Sequence, residues 1–337
     1  MEGRSPWYLA YRRLRRNRVA LAFGALFVLI ALFVLAAPLW ANHVADTGPN
    51  ATHTLEKIEV EGETREVVNR EGKPIDPVWF GAGGKFFLGA DGRLGRDEMV
   101  RLMYGGRTSL FVGIVAALIA TLLGTSLGLL AGYYRGWLDA VIARTLDVVW
   151  AFPVTLLGAA LGLTLAVGGL QLGPLHLSGS SIWIPILIIG VVYTPYVARP
   201  IRGEVLALRE KEFVEAAVSQ GAGSLRVMLS ELLPNLLSTV IVFFAIGIAN
   251  SMLLESTLSF LGVGVQPPNT SWGTMIAGGF ELITSAPLLT VIPGAMLLLT
   301  VLSVNVFADG LRDALDPKAK LRLEAHAGIA EPEGTPV

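Results

Sequence analysis

Long apolar runs alternate with short polar segments along the chain. Val19 to Ala41, Thr108 to Tyr134, Val148 to Ala198, Leu236 to Leu254 and Pro287 to Ala308 carry no charged residue. A helix needs about 20 apolar residues to cross a hydrocarbon core of roughly 30 Å. Helix is also the form that satisfies its own backbone hydrogen bonds in lipid. The run from 148 to 198 is too long for one crossing, and GGLQLGPLHLSGSS (168–181) punctuates it with Gly, Pro and Ser. The pattern predicts an all-α integral membrane protein with six transmembrane helices, at about 19–41, 108–134, 145–168, 182–203, 236–260 and 287–308. The first run exceeds the apolar part of a secretory signal, about 7–15 residues, and reads as an uncleaved anchor.

Two polar interruptions stand out. In 42–107, EKIEVEGETREVVNREGKPI (56–75) alternates apolar and polar positions at Ile58, Val60 and Val67-Val68, which predicts a β-hairpin-like excursion. In 204–235 the pattern predicts two short helices. The first runs from Glu210 to Gln220, with Phe213, Ala216, Ala217 and Gln220 on one face and Val214 and Val218 on another. Gly221 and Gly223 stop it, and the position of Gly221 between two helical patterns calls for a positive φ. Ser224 is an acceptable N-cap for the second, where Leu225, Met228, Leu229 and Leu232 form an apolar stripe. Pro234 is expected to end it. The product is a compact knob in which small alanines stand beside acidic residues.

Composition supports a membrane reading. The chain has 337 residues, 53% hydrophobic and 16% charged, against about 25% charged in ordinary soluble domains. Mean hydropathy is +0.60 and the net charge is -1. The absence of cysteine excludes disulfides and thiol chemistry. Lys and Arg in short loops set topology. They cluster in the N-terminal tail (Arg4 to Arg18), after the second and fourth spans (Arg135, Arg144, Arg202, Arg209, Lys211, Arg226) and in the C-terminal tail. Segments 169–181 and 261–286 hold none. Both termini and the 204–235 segment are therefore expected on the cytoplasmic side. The arginines near the N-terminus accompany Trp7, Tyr11 and Leu14 at helical spacing, which suits a helix lying on a lipid membrane rather than a nucleic-acid-binding arm.

Candidate chemistry is sparse. Gly124, Gly128 and Gly132 place small residues on one helix face, a seam for close packing. Pro153, Pro185 and Pro195 interrupt spans. Glu255 is the main ionisable residue near a span, with Asn250 one turn before it; both are candidates for a transport pathway, although Glu255 stands close enough to the span's end to lie at the interface. The four histidines are scattered, and no metal-ligand, nucleophile-elbow or phosphate-loop motif is present. GAGGKF (81–86) follows its lysine with Phe86 and not with a hydroxyl. No cofactor and no catalytic site are expected in this chain.

The motifs themselves resemble a known family. EAAVSQGAGSLRVMLSELLP is similar to the Glu-Ala-Ala loop of ABC-importer permeases, with Glu215, Ala216, Ala217, Gly221, Leu233 and Pro234 at the matching positions. Ser230-Glu231 stands where peptide permeases more often have Arg-His. RRLRRNRVALA (12–22), LGADGRLGRDEMVRLMYGGRTSL (88–110), RGWLD (135–139), LSFLGVGVQPPNTSWG (258–273) and DGLRDALDP (309–317) resemble the C-type permease subunit of dipeptide and oligopeptide importers. The resemblance implies a type I ABC-importer permease fold in a bacterial or archaeal inner membrane. It implies a basic N-terminal segment (1–18), a first span (19–41), an extracytoplasmic loop (42–107), a five-helix permease domain (108–310) with its coupling loop at 204–235, and a cytoplasmic tail (311–337). It implies a homologous B-type permease, two cytoplasmic ATP-binding subunits that hydrolyse ATP, and an extracytoplasmic substrate-binding protein as partners. Relatives handle dipeptides, longer peptides, nickel chelates, some sugars and glutathione. A channel or secondary transporter acting alone would need embedded charges or a filter, and an integral-membrane enzyme would need a catalytic constellation. Neither pattern is visible.

Overall fold

The computed structural model describes residues 6–315, apart from 61, 93 and 174. Trp7 of the N-terminal stripe (its side chain) and the basic residues beyond 315 lie outside the described residues. Helix α1 (Pro6–Arg16) gives way at Asn17, whose side chain accepts the Ala20 N–H at 3.1 Å and caps α2 (Arg18–Leu35). A short α3 (Ala37–Trp40) and a wider turn (Ala41–Ala45) continue this first span.

The hairpin forms as the alternation predicts. Strands β1 (Lys57–Val60) and β2 (Glu63–Glu66) pair antiparallel, with Ile58 opposite Arg65 and Val60 opposite Glu63, around Gly62 at φ +84°. Ile58 and Val60 turn inward onto Val67, Val78, Phe86 and Ala90, a small core belonging to this loop. The two-residue strands β3 (Ala90–Asp91) and β4 (Arg96–Asp97) close it.

Helix α4 (Glu98–Tyr134) starts well before the apolar run that announces it at 108. The cause is Asp97, whose carboxylate accepts Val100 N–H at 3.0 Å and Phe86 N–H at 2.6 Å. Burial pushes the Asp97 carboxyl above its ordinary pKa, and the backbone donors oppose that shift. Helices α5 (Gly136–Ala151) and α6 (Val154–Gly168) replace the expected single span at 145–168 and meet at 88°. Phe152-Pro153 makes the break: both residues are extended, and proline supplies no N–H to continue the ladder. Pro195, by contrast, is absorbed inside α7 (Trp183–Leu208), and Pro185 lies in its first turn. Between α6 and α7 the chain forms a small hairpin, β5 (Leu170–Leu172) with β6 (Leu175–Leu177).

Helices α8 (Glu212–Ser219) and α9 (Ser224–Arg226) follow, then a wide helical turn (Val227–Leu232), α10 (Leu233–Phe260), α11 (Trp272–Phe280) and α12 (Leu288–Leu315). Among the described residues, five helices are long and apolar enough to span a membrane, or six when the bent α5–α6 pair counts as one. They run between a terminal end, which carries α1 and α8, and a loop end, which carries 46–97. The centre is α4 against α7. A Cβ at Gly124 would fall 2.5 Å from Val197 Cβ, and one at Gly128 would fall 2.6 Å from the Ala198 carbonyl oxygen. No side chain fits there, so the glycine seam is a close helix contact.

Candidate functional site

The knob is built on two anchors. Arg209 donates to the Tyr133 carbonyl and lies over the Tyr133 ring. Arg135 donates to Glu210 at 2.7 Å. Together they tie the end of α7 to the end of α4. From there α8 runs to Ser219 and ends in a Schellman turn: Gly221 N–H donates to Val218 O at 2.9 Å and Ala222 N–H to Ala217 O at 3.0 Å. Gly221 has φ +82°, as its place in the sequence requires, and open space surrounds its Cα.

Beyond the turn the structure departs from the sequence reading in three ways. Gly223, not Ser224, occupies the N-cap position of α9. Pro234 does not end a helix: the wide turn precedes it, the chain runs on into α10, and α9, the wide turn and α10 form one continuous rod. The expected four-residue stripe divides: Met228 and Leu232 are buried, whereas Leu225 is 66% and Leu229 51% exposed. The wide turn adds an extra residue per ring and rotates the stripe out of register.

On the inner side Val214, Val227, Met228 and Leu232 pack on Leu129, Val205 and Leu236, with Ala217 and Ala222 alongside. On the outer side Phe213, Val218, Leu225 and Leu229 are exposed. Glu215 and Ala216 share that exposed surface, and Pro234 is exposed while Leu233 is half-buried. The periodicity grouped Ala217 with Phe213 and Val214 with Val218, whereas the structure turns Val214 and Ala217 inward and leaves Phe213, Ala216 and Val218 exposed.

Glu255 is elsewhere and does different work. It is fully buried among α4, α10 and α11. Its carboxylate accepts Ser259 Oγ at 2.7 Å, Ser109 Oγ at 3.0 Å and Ser256 Oγ at 3.4 Å. The chain of bonds continues outward. Ser109 Oγ accepts Trp272 N–H at 3.1 Å, and Ser259 Oγ accepts Val265 N–H at 3.0 Å. Trp272 Nε1 donates to Leu102 O at 2.9 Å, and Ser271 with Thr274 forms a capping box at the start of α11. The carboxylate therefore fastens three elements, and no accessible surface remains on it.

Asn250 is half-buried and lines a cavity of about 80 Å³ between α4, α7 and α10. Its backbone carbonyl accepts Tyr193 OH at 3.3 Å. Thr121 and Ser251, which sequence reasoning passed over, also line it, and their buried hydroxyls have no hydrogen-bond partner among the described residues. The signal was present as hydroxyl residues inside apolar spans. Among the described residues no group of three or more His, Asp or Glu gathers to hold a metal.

Comparison with known proteins agrees with this architecture. Residues 124–321 match the family described as binding-protein-dependent transport system inner membrane component, and residues 5–55 match the N-terminal TM domain of oligopeptide transport permease C. The chain is 36% identical over 319 residues to the dipeptide transport system permease protein DppC of Alkalihalophilus pseudofirmus, covering 94% of this chain and 91% of that one. It is 34% identical over 317 residues to the glutathione transport system permease protein GsiD of Pectobacterium atrosepticum, covering 94% and 93%. A chain from the inward-facing MetNI methionine ABC transporter superposes with a TM-score of 0.53 at 16% identity, covering 65% of this chain and 97% of that one. With the family match over most of the helical bundle, the two full-length relatives and the shared fold together, the chain belongs to the binding-protein-dependent inner membrane components and is a multi-pass permease subunit of an ABC importer.

Proposed function

We propose that this subunit lines half of the path by which small peptides enter the cell, and that the 209–235 knob is its coupling device. One relative is named for dipeptides and another for glutathione, itself a small peptide, which favours that substrate class over nickel or sugars. The observation that carries the coupling reading is that Phe213, Val218, Leu225 and Leu229 are all left exposed in one short polar segment flanked by basic residues. Large apolar residues exposed in a polar segment suit a surface that a partner covers. A cytoplasmic ATP-binding subunit is the partner, one of two, and nucleotide hydrolysis takes place there. A homologous B-type permease completes the path, and an extracytoplasmic binding protein delivers substrate. The terminal end, with both chain termini, faces the cytoplasm, and the 46–97 loop faces outward. This chain supplies no cofactor and no catalytic group.

Docking drives transport only when its energy differs between inward and outward states. Gly221 sets the angle between α8 and the α9–α10 rod. Gly221→Val puts a β-branched residue at φ +82°, at a cost of about 1 kcal/mol or more. Because open space surrounds the site, membrane insertion is expected to survive. The test is substrate-stimulated ATP hydrolysis by the reconstituted complex. Loss of stimulation in a correctly inserted mutant is the expected result; wild-type stimulation would remove the coupling role from this segment.

A further inference from the structure

Along the flank of the bundle, α2 and α4 leave a groove of about 640 Å³ that none of the described residues fills. Phe27, Ala31 and Val34 form one wall, and Leu110, Phe111 and Ile114 form the other. At its loop end stands Arg107, exposed, with its guanidinium 5.4 Å from the centre of the Tyr104 ring. Among the described residues that guanidinium has no ion pair or hydrogen bond. One turn along α4, Phe111 meets Trp183 edge-on at 6.1 Å, and Trp183 is 44% exposed.

Depth orders these groups. Arg107 immediately precedes the charge-free run Thr108 to Tyr134, so it stands at one end of the hydrophobic span. Phe111 and Ile114 lie about one and two helical turns inside that run. The site therefore presents an apolar trough at acyl depth, and a free cation with Tyr and Trp at headgroup depth, where such rings settle. A phospholipid has the same order of polarity. A packing protein helix would have to bring a carboxylate to one level to match it.

We propose that the α2–α4 groove is a phospholipid site, with one acyl chain in the trough and an anionic headgroup on Arg107. The ion pair forms beside low-dielectric walls, in the manner of basic pockets between transmembrane helices. The site does not depend on the transported substrate.

The full chain, with whatever subunits accompany it, is reconstituted in phosphatidylcholine vesicles containing a minor fraction of phosphatidylglycerol that bears a photoactivatable acyl chain. Illumination is expected to attach lipid to peptides holding Ala31, Phe111 and Ile114. Arg107→Gln should lower that yield about five-fold, and Arg107→Lys should restore most of it. Ala31→Phe, which fills the trough and leaves Arg107 in place, should abolish it. Gel filtration of each variant guards against misfolding. Excess inorganic phosphate should leave the yield unchanged; strong competition would mean a phosphate site and would overturn the proposal. So would equal labelling of Arg107→Gln, or label that appears on another subunit covering the groove instead of on these peptides.

Discussion

The knob and the Glu255 junction are both places where an apolar chain keeps a carboxylate, and they treat it in opposite ways. At the junction three serine hydroxyls converge on Glu255, and their bonds pass on to Trp272 and Val265. Every group there is answered from within the chain. At the knob Glu215 is exposed, and the apolar residues around it are left uncovered. A buried charged acceptor is tolerated when donors surround it. An exposed apolar face is tolerated when a partner covers it. The first region is organised to hold one conformation, and the second to be touched.

The comparison can be broken by substitution, and the largest effect is expected at the junction. Glu255→Ala removes the acceptor shared by Ser109 and Ser259 and leaves a cavity. Thermal unfolding of the purified chain in detergent should show a loss of about 3 kcal/mol. An unchanged midpoint would mean that the hydroxyl shell holds itself together without the carboxylate. Glu255→Gln keeps the shape and one good acceptor, so the loss should fall to about 1 kcal/mol. Transport should then scale with the amount of folded protein. If transport vanished at wild-type stability, Glu255 would belong to the pathway and the contrast with Glu215 would collapse.

At the knob the order reverses. Leu225→Ser with Leu229→Ser changes exposed positions, so stability should stay within about 0.5 kcal/mol. Recovery of the ATP-binding subunit on affinity purification should nevertheless drop sharply; undiminished recovery would assign that face another role. Glu215→Ala should be the mildest, again within about 0.5 kcal/mol, with weakened stimulation of ATP hydrolysis by substrate as its only trace. A large loss of folded protein from this change would show that Glu215 has a structural partner after all.

Much of this was legible in the chain before folding. Charge-free runs marked the spans because each helix must present apolar side chains over a hydrocarbon thickness. The alternation at Ile58 and Val60 announced the hairpin because strand side chains point to opposite faces. Gly221 announced its turn because other residues resist positive φ. The four-residue glycine spacing announced the α4–α7 seam because only small residues let helix backbones approach. These are local rules, and local sequence suffices for them. Tertiary structure decided the rest. It started α4 at Asp97, through a bond to Phe86 that periodicity does not register. It broke α5 from α6 at Phe152-Pro153 while absorbing Pro195 in α7, since a helix survives proline only where its neighbours support it. It joined α9 to α10 through a wide turn, sending Met228 inward and Leu229 outward, and it buried Glu255 under serine hydroxyls brought from α4 and α10. Each of those outcomes depends on which distant residues arrive alongside, and a pattern read along one chain cannot contain that information.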